Sequence, residues 1–138
     1  MMNKILVLFL IILSTYSCSK KKPPIGNYLG IFKYEYPTSK PELTVCYKIT
    51  ESEKDYLLIT ATDYAGNSSY GGDTLYKKYK KEIEGRVPIY DPFSSLTISG
   101  VRKYKLFGKY SITGTFIETI YQGGNQYQYS GTFEIYSR

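Results

Sequence analysis

The sequence predicts an all-β fold: an antiparallel meander of about eight strands that closes as a small barrel or a flattened sandwich. Three observations carry this. The chain of 138 residues holds 17 Tyr and 6 Phe with no Trp, and its 12 Gly punctuate runs of aromatic and β-branched residues, a composition suited to strands and tight turns. Those runs alternate with a period of two. Short turns join most of them, and no convincing helix is present to make a parallel crossover.

The first strand is expected over Asn27 to Tyr36, with Tyr28, Gly30, Phe32, Tyr34 and Tyr36 on one side and Leu29, Ile31, Lys33 and Glu35 on the other. Pro37-Thr38-Ser39-Lys40-Pro41 breaks it. The second strand, Glu42 to Thr50, puts Leu43, Val45, Tyr47 and Ile49 inward and Thr44, Cys46, Lys48 and Thr50 outward. A charged turn, 51–55, leads into a third strand from Tyr56 to Thr62. Asp63 to Asp73, rich in Gly, Asn, Ser and Tyr, is expected as a loop long enough to be a lid or a disordered tip. Thr74 to Glu84 is expected as mostly strand, although Leu75, Tyr76, Tyr79 and Ile83 also have the spacing of a short helix. Arg86 to Tyr90 reads as an edge-like strand because Pro88 cannot donate to a ladder. Ser94 to Ser99 makes a short strand before Gly100.

The C-terminal hairpin is the best specified. Tyr110 to Phe116 and Tyr127 to Phe133 share a Tyr-x-aliphatic/aromatic-x-Gly-x-Phe pattern and flank Gly123-Gly124, a pair suited to the positive φ angles of a tight turn. Centring the turn there pairs Phe116 with Gly131, Gly114 with Phe133, Ile112 with Ile135 and Ile120 with Tyr127. Each Phe then covers a glycine on the opposite strand.

Ahead of this domain lies a different kind of segment. Met2-Asn3-Lys4 gives a positive start and 5–13 is an uncharged apolar run of nine, the size of a signal-peptide core rather than a membrane span. Ser14-Thr15-Tyr16-Ser17 and Cys18 follow, and then the basic, rigid stretch Ser19-Lys20-Lys21-Lys22-Pro23-Pro24. This pattern resembles a lipoprotein signal of bacteroidete type. The resemblance implies cleavage before Cys18 and lipidation of its sulfur, with 1–17 a signal-peptide helix, 18–25 a lipid-anchored tether and 26–138 one β domain. It implies a protein of the bacterial cell envelope; the lysines after the cysteine replace the acidic run of surface-exported relatives, which favours the outer membrane, facing the periplasm. The Gly-Asn-Tyr-x-Gly opening at 26–30, the central loop and the closing Gly131-Thr132-Phe133 strand are similar to those of small lipocalin-like lipoproteins of gut-type bacteria.

Catalytic chemistry finds little support. Histidine is absent, which removes the commonest general base and metal ligand, and no nucleophile elbow, phosphate loop or metal-spaced cysteine pair occurs. No catalytic residue, metal or cofactor is expected. Cys46 reads as a small apolar strand residue, since acylation of Cys18 leaves it without a disulfide partner. Glu118 shares the inward side with Phe116 and Ile120, either as a polar group lining a cavity or at a strand end where the core has opened to water.

The remaining chemistry is that of binding. Tyr28, Phe32, Phe116, Glu118 and Tyr129 are candidates for lining an apolar-ligand site in a barrel mouth. Lys77, Lys78, Lys80 and Lys81, with Arg102, Lys103 and Lys105, interleave charge with aromatic rings and form a candidate surface for an anionic partner, or a solvated face guarded against edge pairing. The expected role is non-catalytic binding of a small apolar ligand, a glycan or an envelope component, with membrane attachment through the N-terminal lipid and no nucleic acid. The alternative is a structural or inhibitory protein that acts through its surface loops.

Overall fold

A computed structural model describes residues 25–38, 40–104 and 109–138. The signal segment, Cys18, the tether and Lys105 lie outside the described residues. Eight antiparallel strands form a closed barrel in sequence order: β1 (Gly26–Tyr36), β2 (Leu43–Ser52), β3 (Tyr56–Thr62), β4 (Ser69–Lys77), β5 (Glu82–Val87), β6 (Ser94–Tyr104), β7 (Tyr110–Gln122) and β8 (Asn125–Ser137). Pairing of β1 with β8 closes the sheet, from Tyr28 opposite Ser137 to Tyr36 opposite Ser130. Closure decides between barrel and sandwich, and it leaves no free edge.

The β7–β8 register is the one read from the sequence. Gln122 faces Asn125 across Gly123 and Gly124, both at positive φ, and Phe116 faces Gly131 while Gly114 faces Phe133. Backbone packing is tight at these glycines: a Cβ on Gly131 would lie 1.8 Å from the Lys33 carbonyl oxygen, and one on Gly114 would lie 2.1 Å from that of Ser99. Only glycine lets the strands approach so closely.

Thr74 to Glu84 is mostly strand, as expected, and not a helix, but a turn over 78–81 divides it between the end of β4 and the start of β5, so Lys77 faces Ile83. Three expectations are corrected. Arg86 to Tyr90 is not an edge strand, since β5 is paired on both sides and ends at Val87, before Pro88. The strand expected to stop at Ser99 runs through Gly100 to Tyr104. Tyr36 turns out of the core past a register shift between Tyr34 and Tyr36, and is 70 % exposed.

The core is the inward side of all eight strands. Val45, Tyr47, Ile49, Leu57, Ile59, Leu75, Ile98, Ile112 and Ile135 are buried, each stabilising the fold by roughly 1.5–3 kcal/mol for the smaller apolar side chains. Aromatic rings form two clusters within it. Tyr28 and Tyr104 pack edge-on against Tyr110 towards the end where β1 begins. Phe32, Tyr34, Phe116, Tyr129 and Phe133 pack together towards the other end.

Candidate functional site in the barrel mouth

The two ends of the barrel differ in chemistry. At the lower end β1 starts and β8 finishes, and the 53–55 and 78–81 connections turn there. The upper end carries the 37–42, 63–68 and 88–93 connections and the 123–124 turn.

In the upper mouth sits Glu118. It is 3 % exposed, so it is neither a solvated surface charge nor a strand end open to water. Its Oε2 accepts a hydrogen bond from the Tyr34 hydroxyl, and its Oε1 lies 3.2 Å from Lys40 Nζ. The lysine arrives from the β1–β2 loop, between Pro37 and Pro41, and its ammonium lies 4.2 Å from the ring centroids of both Tyr34 and Tyr129. Tyr34 and Tyr129 meet edge to face at 6.0 Å, and Phe116 backs Tyr34 at 5.2 Å. The result is an aromatic cage with a carboxylate in its wall, a geometry that attracts a cation by ring quadrupole and by charge. Burial, then the bond to Glu118, pushes the Tyr34 phenol far above its usual range, which keeps it protonated and donating.

Neighbouring polar groups are less well served. The Tyr47 hydroxyl is buried with no hydrogen-bond partner, and burial raises its phenol well above the ordinary value, with Tyr90, Asp73 and Tyr34 adding to the effect. Tyr90 reaches in from the β5–β6 loop. Its hydroxyl donates to the Thr62 carbonyl at 2.8 Å and accepts from the Cys46 N–H at 3.0 Å, bridging β2 and β3 where their ladder ends.

Of the candidate lining residues, the structure brings Phe32, Phe116, Glu118 and Tyr129 together around the mouth and places Tyr28 in the other ring cluster. Sequence reasoning missed Tyr34 as a partner of Glu118 and missed Lys40 altogether. The signal available for Lys40 was a single cation in a proline-bounded loop; nothing local ties it to Glu118. The expected lid is shorter than thought. Its residues from Ser69 on belong to β4, and the 63–68 turn packs on the strand ends: Arg138 donates to the Tyr64 carbonyl at 2.7 Å and stacks on its ring, while Gly66 abuts Asn27. The Asn67 and Gly66 amides donate to Asp63, the first holding its carboxyl below the usual range.

The basic residues cluster at the lower end, in two roles. Lys77 donates to the Glu53 carbonyl and Ser52, and Arg102 donates to the Lys80 and Lys81 carbonyls, so these two brace loops. Lys78 pairs with Glu84 at 3.2 Å, and Lys80 lies over the Tyr79 ring. Lys81 and Lys103 are exposed. Grooves of about 370 and 430 Å³ open on the outer face of the sheet, the first beside Tyr76, Thr97 and Ile117, the second beside Lys109, Glu134 and Tyr136.

No protein-family model, curated protein or solved structure matches the chain. The eight-stranded antiparallel barrel is consistent with a lipocalin-like β domain.

Proposed function

We propose that this is a lipid-anchored cell-envelope protein with a non-catalytic binding role, standing on its basic end and presenting its aromatic end to an envelope component. One observation carries the reading: the barrel is polarised along the direction in which the chain enters it. β1 begins at the lower end, directly after the tether, and Lys54, Lys78, Lys80, Lys81, Lys103 and Lys109 are exposed around that end. Tether and lysines together would face anionic headgroups, at about 1 kcal/mol per well-placed charge. At the far end, Tyr36, Phe93, Tyr121 and Tyr127 are exposed, against Tyr76 and Tyr79 towards the lower one, and rings of this kind enrich binding surfaces.

Two measurements test it. With a clickable fatty acid fed to cells, the wild-type chain is expected to carry label and sediment with membranes, and Cys18→Ser to lose both. Label retained after that substitution would remove the anchor. A photo-cross-linking residue at position 121 is expected to capture an envelope species that the same residue at position 103 does not; equal capture would remove the polarity.

A further inference from the structure

We infer that the cage of Tyr34, Tyr129 and Glu118 is a binding site for an alkylammonium group of a ligand, and that Lys40 is its resident, displaceable occupant. The inference rests on the reading that the aromatic end is the binding end, and it supplies the ligand's chemical class.

The cage and its occupant are held differently. Tyr34, Phe116, Glu118 and Tyr129 stand on β1, β7 and β8, locked by the ladders that close the barrel, so the cage persists whether or not it is filled. Lys40 comes from a connecting loop and its side chain is 31 % exposed, against 4 % for that of Glu118. A loop can leave where a strand cannot. Once the lysine has left, a carboxylate stays buried beside two rings, and an unpaired buried charge is costly enough that the open state takes up either a proton or another cation. Loop opening and cation binding are therefore linked.

The cage selects for chemistry as well as charge. Two ring faces at 4.2 Å suit a cation with an alkyl stem, less strongly hydrated than a bare metal ion, and one carboxylate balances one positive charge. The rim adds to the attraction, since Glu35 and Asp91 sit in or beside the upper connections, while Glu42 there is paired with Lys33 at 3.9 Å. Ligand amines concentrate at such an end before they compete for the cage.

The test titrates n-butylamine and tetramethylammonium, with n-butanol as the neutral control, into the purified chain and into Lys40→Ala, following the Tyr129 ring and Lys40 Nζ resonances by NMR. Saturable shifts are expected in the wild type, with Lys40 Nζ moving to a solvent-like position as the Tyr129 ring responds. Lys40→Ala is expected to bind the amines at least about tenfold more tightly, because the internal competitor is gone. n-Butanol is expected to shift neither. If Lys40→Ala folds poorly, its thermal midpoint is expected to rise with added amine and not with n-butanol. Uptake by Lys40→Ala with no displacement of Lys40 in the wild type would make the lysine a permanent strut and overturn the proposal, as would no uptake by either protein. Tyr79→Ser, in the 78–81 turn at the opposite end, is expected to leave amine uptake unchanged. Failure of amine uptake with envelope capture at position 121 intact would remove the ammonium site and leave the binding end standing.

Discussion

At the scale of single residues, the mouth shows how burial ranks the cost of losing one partner. Lys40→Ala strands a carboxylate that is almost fully buried, whereas Glu118→Gln frees a lysine able to turn into water. The lysine variant is expected to cost about 3 kcal/mol and the glutamine variant about 1 kcal/mol. Combining them should cost less than their sum, because the stranded charge is gone; a double-mutant cycle by chemical denaturation measures the difference. Glycines obey the same logic of place. Gly131→Ala drives a methyl group into the Lys33 carbonyl and is expected to lower stability by about 3 kcal/mol. Gly123→Ala, at φ 58° with no atom within 4 Å, is expected to cost about 1 kcal/mol, and thermal melts of the two variants would separate steric from conformational strain.

Elements are joined by side chains where backbone ladders stop. β2 and β3 part above the Cys46–Thr62 pair, and the Tyr90 hydroxyl takes over as donor to one strand and acceptor from the other. Tyr90→Phe is expected to destabilise by about 1 kcal/mol and to speed amide exchange at Cys46, with little change at Phe116 in the middle of the β7–β8 ladder. Unchanged exchange at Cys46 would mean that another group satisfies that amide. The β7–β8 hairpin needs no such bridge. Its register was legible because a Gly-Gly turn and Phe-over-Gly pairing are neighbours in sequence, and one slipped residue would turn Phe116 and Phe133 to the wrong face. The turn inside the 74–84 stretch was missed for a related reason. A turn over 78–81 made of Lys, Tyr and Lys carries no Gly or Pro to mark it, and it is Lys80 that takes the positive φ.

On the scale of the whole molecule, tyrosine gives the barrel its expected response to alkali. Burial is the first cause raising the phenols of Tyr28, Tyr34, Tyr47 and Tyr110 above 10.0. Each therefore prefers its neutral form in the folded state more than in the unfolded one. Their contribution is fully present below pH 10.0 and is lost as the pH climbs towards the folded values. Cooperative alkaline unfolding is expected, with these phenolates appearing in the ultraviolet spectrum together with loss of far-ultraviolet β signal rather than before it.

The sequence by itself determined what depends on near neighbours: where β1, β2, β3, β7 and β8 run, which side of β2 and β7 faces inward, the 123–124 turn, and the absence of histidine. Alternation and turn composition are local, so they can be read without knowing the fold. Only the tertiary structure decided what depends on distant partners. Closure of β1 on β8 joins the two ends of the domain, and it brings Tyr34 to a carboxylate 84 residues away and Lys40 to the same carboxylate from 78 residues away. A charge in a loop and a charge in a strand carry no mark of each other until the barrel is shut, because what pairs them is the burial that closure creates.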